Sequence, residues 1–123
     1  MLLAEDEPVV RRLMRETLRR HGYPVITASD GREAIAKATA HRGAIGILVT
    51  DVVMPGMSGR EAAERIVLER PGIRVLFVSG YSNDAMLRHG VAPEGMDFLE
   101  KPFAPEMLAQ RVRALLDAIP VTS

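Results

Sequence analysis

The chain has 123 residues, 47% of them apolar and 26% charged, with 16 basic residues balancing 16 acidic ones and no cysteine. This length and composition suit one soluble domain with a single core. The even charge argues against nucleic acid or an anionic membrane surface as the main partner, and the lack of thiols excludes disulfides, zinc–thiolate sites and thiol catalysis.

No apolar run approaches the roughly 18 residues a membrane span needs. The start, MLLAEDEP, lacks the basic and apolar regions of a signal peptide, so a cytoplasmic location is expected. Residues 1–4 predict a short buried strand. Pro8 opens a helix to about residue 20, with Val10, Leu13, Met14, Thr17 and Leu18 at helical spacing and Gly22 as its stop. Residues 24–28 read as strand, and Ser29 or Asp30 caps a second helix to about 41. Residues 44–50, AIGILVT, form a nearly all-apolar strand, as expected when both faces are covered. Ser58 with Glu61 forms a capping-box pattern. It starts a helix with Ala62, Ala63, Ile66 and Val67 inward, which Pro71-Gly72 ends. Residues 73–79 predict another buried strand and 83–89 a short helix, which Gly90, Pro93 and Gly95 interrupt. Residues 97–100 predict a last strand, and 105–117 a last helix with Leu108, Val112 and Leu115 inward.

Strand and helix alternate five times, which argues an α/β fold with a parallel sheet covered on both faces. Right-handed crossovers favour the open doubly wound form, in which ligands bind outside the C-terminal ends of the strands. A closed eight-fold barrel needs about twice the length. The strand ends are therefore the informative positions. Glu5, Asp6 and Glu7 follow the first strand, Asp51 the third, Ser79 and Gly80 the fourth, and Lys101 and Pro102 the fifth.

Taken singly, each residue has a plain structural explanation. Glu5 and Asp6 could cap the first helix, Asp51 could form a turn, Ser79 could be a loop hydroxyl and Lys101 a solvated surface lysine. Their convergence on one edge from four separate loops argues for a site. Clustered carboxylates repel unless a cation sits among them, and magnesium favours one or two carboxylates, waters and a phosphate oxygen. A carboxylate can attack phosphorus to give an aspartyl phosphate. Such a transfer needs positioning and charge neutralisation, which magnesium and Lys101 could supply.

In order along the chain, AEDE at 4–7, TDVVMPGMSG at 50–59, VSGY at 78–81 and EKPF at 100–103 resemble the receiver domain of two-component response regulators. The resemblance spans almost the whole sequence. It implies a flavodoxin-like five-stranded parallel sheet of order 2-1-3-4-5 over residues 1–119, with 120–123 as a tail. It further implies that Asp51 is the phosphoacceptor and a magnesium ligand, that Asp6 is a direct ligand, and that Glu5 is a nearby, water-mediated one. The Val53 carbonyl would be another ligand. Ser79 is implied as the switch hydroxyl that bonds the phosphoryl group, Lys101 as its ion-pair partner, and Phe98 as the aromatic whose rotamer follows the state. The implied partner is a histidine kinase or a histidine phosphotransfer domain, and the implied activity is a phosphorelay step.

VLFVSGYSNDAMLRHGV with FLEKPF is more similar to receivers fused to hybrid sensor histidine kinases than to those of DNA-binding regulators. A stand-alone single-domain regulator is the alternative. Glu5 stands where an aspartate is commoner, and the first strand begins almost at Met1, which suggests a domain cut from a larger protein. A haloacid dehalogenase-type phosphatase shares the residue types but has an acid two positions after its nucleophile, where this chain has Val53, and it needs a cap domain that does not fit. A receiver that only binds partners is disfavoured by the joint presence of Asp6, Asp51, Ser79 and Lys101.

Arg11, Arg12, Arg15, Arg19 and Arg20 read as a solvated outer face of the first helix, with docking of an acidic or phosphorylated partner as the alternative. His21 and His41 fall near helix C-termini, where they are favoured, and with His89 they show no ligand spacing. Met54 and Met57 read as cover for the site. A cis bond is expected at Lys101-Pro102. The crowding by Gly90, Pro93 and Gly95 predicts a short helix before the last strand and a domain that stays monomeric.

Overall fold

The computed structural model describes residues 1–80 and 96–117. The expected helix at 83–89, His89, Tyr81 and the tail lie outside them. Five parallel strands, β1 (Leu2–Ala4), β2 (Ile26–Ala28), β3 (Ile47–Asp51), β4 (Arg74–Ser79) and β5 (Met96–Glu100), form one sheet of order β2-β1-β3-β4-β5. Among the described residues the helices are α1 (Pro8–Arg20), α2 (Gly31–Ala40), α3 (Gly59–Glu69) and α4 (Pro105–Asp117). The flavodoxin-like order read from the sequence is the order found.

Side chains alternate across each strand, so the two faces of the sheet build two cores. Leu2, Ala4, Leu48, Val75 and Phe77 pack with Ala34, Ala38, Ala63 and Ile66 of α2 and α3. On the other face Leu3, Ile47, Val49, Leu76 and Val78 meet Met14 and Leu18 of α1 and Leu108, Val112 and Leu115 of α4. Small alanines on α2 and α3 bring those helices close to the sheet.

The caps follow the residue types. Asp30 accepts from the Glu33 N–H at 2.8 Å to start α2, and Ser58 accepts from the Glu61 N–H at 3.2 Å to start α3. Pro8 occupies the first turn of α1, and Glu7, its N-cap, makes no side-chain capping bond. His21 and His41 close α1 and α2 as expected. Past α3, the Arg70 guanidinium donates to the carbonyls of Ala38, His41 and Gly43, tying the end of α2 to α3.

Several expectations need correction. The second strand begins at Ile26 rather than 24, because Pro24 has no N–H for the ladder; the Ile26 N–H makes the first bond, to Met1 O. The third begins at Ile47 rather than 44 and ends on Asp51 itself, and Ala44 and Gly46 are solvent-exposed. Leu13, expected inward, is 56% exposed. Its place on the helix faces a groove toward Phe103 and Leu108 instead of the sheet.

Register sets the height at which each strand stops. Ala4 pairs with Thr50, Asp51 with Val78, and Ser79 with Glu100. The strands therefore end nearly level, and the residues just beyond them share one rim.

Candidate functional site

β1 delivers Glu5 and Asp6, β3 delivers Asp51, and the loop after β5 delivers Lys101. One carboxylate oxygen from each of Glu5, Asp6 and Asp51 lies within 4.8 Å of the others. Lys101 Nζ donates to Glu5 Oε1 at 2.6 Å and to Asp51 Oδ2 at 3.0 Å. The Lys101 N–H donates to Ser79 O at 2.7 Å, which ties the loop to the end of β4, and the Lys101-Pro102 peptide is cis, as expected. A basin of about 620 Å³ opens over this cluster, lined by Asp6, Glu7, Asp51, Val53, Met54, Pro55, Gly80 and Lys101.

The three acids differ in environment. Glu5 is 1% exposed. Its Oε1 is held by Lys101 and its Oε2 accepts from the Glu7 N–H at 3.3 Å. Asp51 and Asp6 are half-buried and face the basin. Partial burial, then the neighbouring Glu5 carboxyl, push the Asp6 carboxyl above the ordinary carboxylate range. Burial acts to lower the Lys101 ammonium, but hydrogen bonds to Glu5 and Asp51 outweigh it and raise it above the usual lysine value. Three carboxylates against one ammonium leave a local surplus of two negative charges when all are ionised. Oxygen donors with that surplus fit a hard divalent cation such as magnesium.

The remaining residues fall into two groups. Val53 is 53% exposed and lines the basin. Ser79 is 1% exposed at the end of β4, next to Gly80 on the basin wall. Phe98 lies back in the sheet, stacked on Phe77 with ring centroids 5.4 Å apart and packed against the α2–α3 core. Met54 covers the site as expected, being 5% exposed on the basin wall. Met57 does not. It packs on Gly31 at the start of α2, where a Cβ would meet its carbonyl oxygen at 3.1 Å.

Gly59 was legible only as the last letter of a motif. A Cβ there would stand 1.7 Å from the Asp51 carbonyl oxygen, and the Gly59 N–H donates to Val52 O at 2.9 Å. The first turn of α3 thus presses directly on the backbone that presents Asp51. The Thr50 hydroxyl, fully buried, donates to the same Asp51 carbonyl at 3.1 Å.

Comparison with known proteins agrees with this geometry. Residues 1–113 match the family model described as response regulator receiver domain. The chain is 38% identical over 117 residues to the sensor kinase CckA of Brucella abortus, covering 95% of this chain and 12% of that one. It is 35% identical over 123 residues to the probable transcriptional regulatory protein TcrX of Mycobacterium tuberculosis, 52% of whose length it spans. The response regulator receiver protein CpdR of Brucella abortus is 31% identical over 118 residues, with 96% of this chain and 97% of that one covered. Among solved structures, the receiver domain of the hybrid histidine kinase CckA superposes with a TM-score of 0.80 at 35% identity, covering 94% of this chain and 97% of that one. For Vibrio cholerae CheY4 the values are 0.81 and 31%, with 93% and 95% covered.

Proposed function

This chain belongs to the response regulator receiver domain family, and on that footing we propose that Asp51 accepts a phosphoryl group from a phosphohistidine. The donor is a histidine kinase or a histidine phosphotransfer domain, and the setting is cytoplasmic. The observation that carries the reading is the shared lysine: one ammonium holds Asp51 on the rim and Glu5 beneath it.

In the transfer, an Asp51 carboxylate oxygen forms the new bond to phosphorus as the bond from phosphorus to the donor imidazole nitrogen breaks. Lys101 fixes Asp51 Oδ2, leaving the other oxygen to attack. Asp6, Asp51 and the Val53 carbonyl are the groups that would hold magnesium, which when bound supplies charge neutralisation to the phosphoryl oxygens. Glu5, with both oxygens engaged, positions Lys101 and reaches a metal only through water. Ser79 is assigned as the hydroxyl that bonds the phosphoryl group afterwards, and Phe98, half-buried on Phe77, as the ring that turns with it.

The closer match to the CckA receiver by identity favours a place in a hybrid sensor histidine kinase. The near-complete coverage of CpdR is the observation behind the second reading, a stand-alone regulator. In either setting the domain is assigned as a monomer spanning 1–119. Intact mass spectrometry after incubation with magnesium and a small-molecule phosphodonor tests the central reading. The parent should gain one phosphoryl group and Asp51→Asn none; equal labelling of the Asn variant overturns it.

A further inference from the structure

The arginines of α1 do not all form a solvated face. Arg11 and Arg15 are half-buried. With Arg12, Pro8 and Thr27 they line a cavity of about 240 Å³ between α1 and the edge strand β2. No carboxylate lines it, and none of the three guanidiniums forms an ion pair among the described residues. Arg15 Nε is buried and meets no acceptor, the one such side-chain atom among the described residues. A wall carrying three guanidiniums and no carboxylate is the arrangement an oxyanion completes.

We propose that this cavity is an anion site, separate from the Asp51 rim, that takes a small phosphate-type oxyanion. Planar guanidiniums suit tetrahedral oxyanions because each can present two parallel N–H groups. The volume lies below the roughly 300–1,000 Å³ of pockets that enclose drug-sized ligands, which favours a compact inorganic phosphate over a whole nucleotide. Thr27 adds a hydroxyl from the sheet side. Its own carbonyl is taken by Lys37 Nζ, which is also paired with Glu33 at 3.1 Å.

The cavity also touches the rim through one bond. Arg11 donates from one terminal nitrogen to Glu5 O at 2.8 Å, and Glu5 holds Lys101. An anion that recruits Arg11 would loosen that hold. This consequence rests on the reading of Asp51 as phosphoacceptor; the binding itself does not.

The test is a titration of the 123-residue chain with inorganic pyrophosphate, followed by amide NMR in EDTA at fixed ionic strength with no phosphodonor present. Without magnesium or donor, a failed labelling experiment and a failed anion site are told apart. Saturable shifts are expected at Arg12, Arg15 and Thr27, and AMP should compete poorly with pyrophosphate. Affinity should fall roughly tenfold for each guanidinium removed, in exposed Arg12→Gln and in Arg12→Gln/Arg15→Gln. Shifts centred on Asp6 and Asp51, no saturation, or equal affinity in folded Arg12→Gln overturn the proposal. Tighter binding of AMP than of pyrophosphate overturns the ligand class.

Discussion

Glu5 and Lys101, 96 positions apart in sequence, meet at 2.6 Å. Glu5 is buried to 1% exposure and the Lys101 side chain to 25%, so the pair lies largely out of water, with Asp51 as the lysine's second partner. Breaking a buried pair from one side leaves an uncompensated ion, which costs far more than the pair is worth in total. Lys101→Met should therefore destabilise the fold by about 3 kcal/mol. Adding Glu5→Gln should recover a good part of that loss. Urea denaturation of the two variants and the parent gives the coupling, and simple additivity would refute it.

The same lysine sets an alkaline limit. Its folded value is raised, so its contribution is complete below the ordinary lysine value of about 10.4 and is lost as pH climbs through the higher folded one. Parent stability should fall more steeply than that of Lys101→Met above about pH 10.4. Matching slopes in denaturant melts would contradict this.

Asp6 carries the opposite burden. Its raised carboxyl favours the fold fully below the ordinary value of about 3.9, and that contribution is lost as pH rises through the higher folded value. At neutral pH without metal, Asp6→Asn should melt higher than the parent, and the gap should close near pH 4. Magnesium should raise the melting temperature of the parent and leave the variant unmoved. Calorimetry in EDTA and in magnesium reads both effects.

Gly59 and Gly72 form a matched pair of tests. A methyl group at Gly59 would occupy the Asp51 carbonyl, whereas at Gly72 nothing lies within 4 Å. Gly59→Ala should cost about 3 kcal/mol and cut labelling of Asp51 at least severalfold. Gly72→Ala should stay within about 0.5 kcal/mol of the parent. If the two variants behave alike, α3 does not brace Asp51.

On the proposed reading of Asp51, Val53 should bear on how long a phosphoryl group survives. It is 53% exposed on the basin beside Asp51, and its side chain offers a water no hydrogen bond. Val53→Asn should lose the phosphoryl group several times faster once donor is removed. An unchanged decay by intact mass would dismiss that missing hydrogen bond as the cause.

Much of the fold and the acid rim was legible because the informative residues sit where apolar runs stop. Asp51, Ser79 and Lys101 each end a strand or come directly after one, and parallel strands of similar length deliver such residues to one edge. Contacts set by backbone approach were not legible. Gly59 resembles any helix-starting glycine until the Asp51 carbonyl is seen beside it. Leu13 satisfies the helical period, yet it lies at the margin of the buried stripe, where the neighbouring α4 and not the sheet decides exposure. The α1 arginines likewise share a face by period alone. Only the position of edge strand β2 separates half-buried Arg11 and Arg15 from the solvated remainder.

The level strand ends have a consequence for what the chain tolerates. Ala4 opposite Thr50 puts Glu5 beside Asp51, and moving either strand by one residue turns every side chain in it to the other face. A single residue inserted in β1 or β3 would scatter the acids even if the domain stayed compact. Extra residues between Arg42 and Ala44, all exposed, would lengthen a surface connection and disturb at most the Arg70 bond to Gly43 O. Length variation in a lineage of such chains should therefore gather in connections like this one, far from the acid rim, and be absent from β1 and β3.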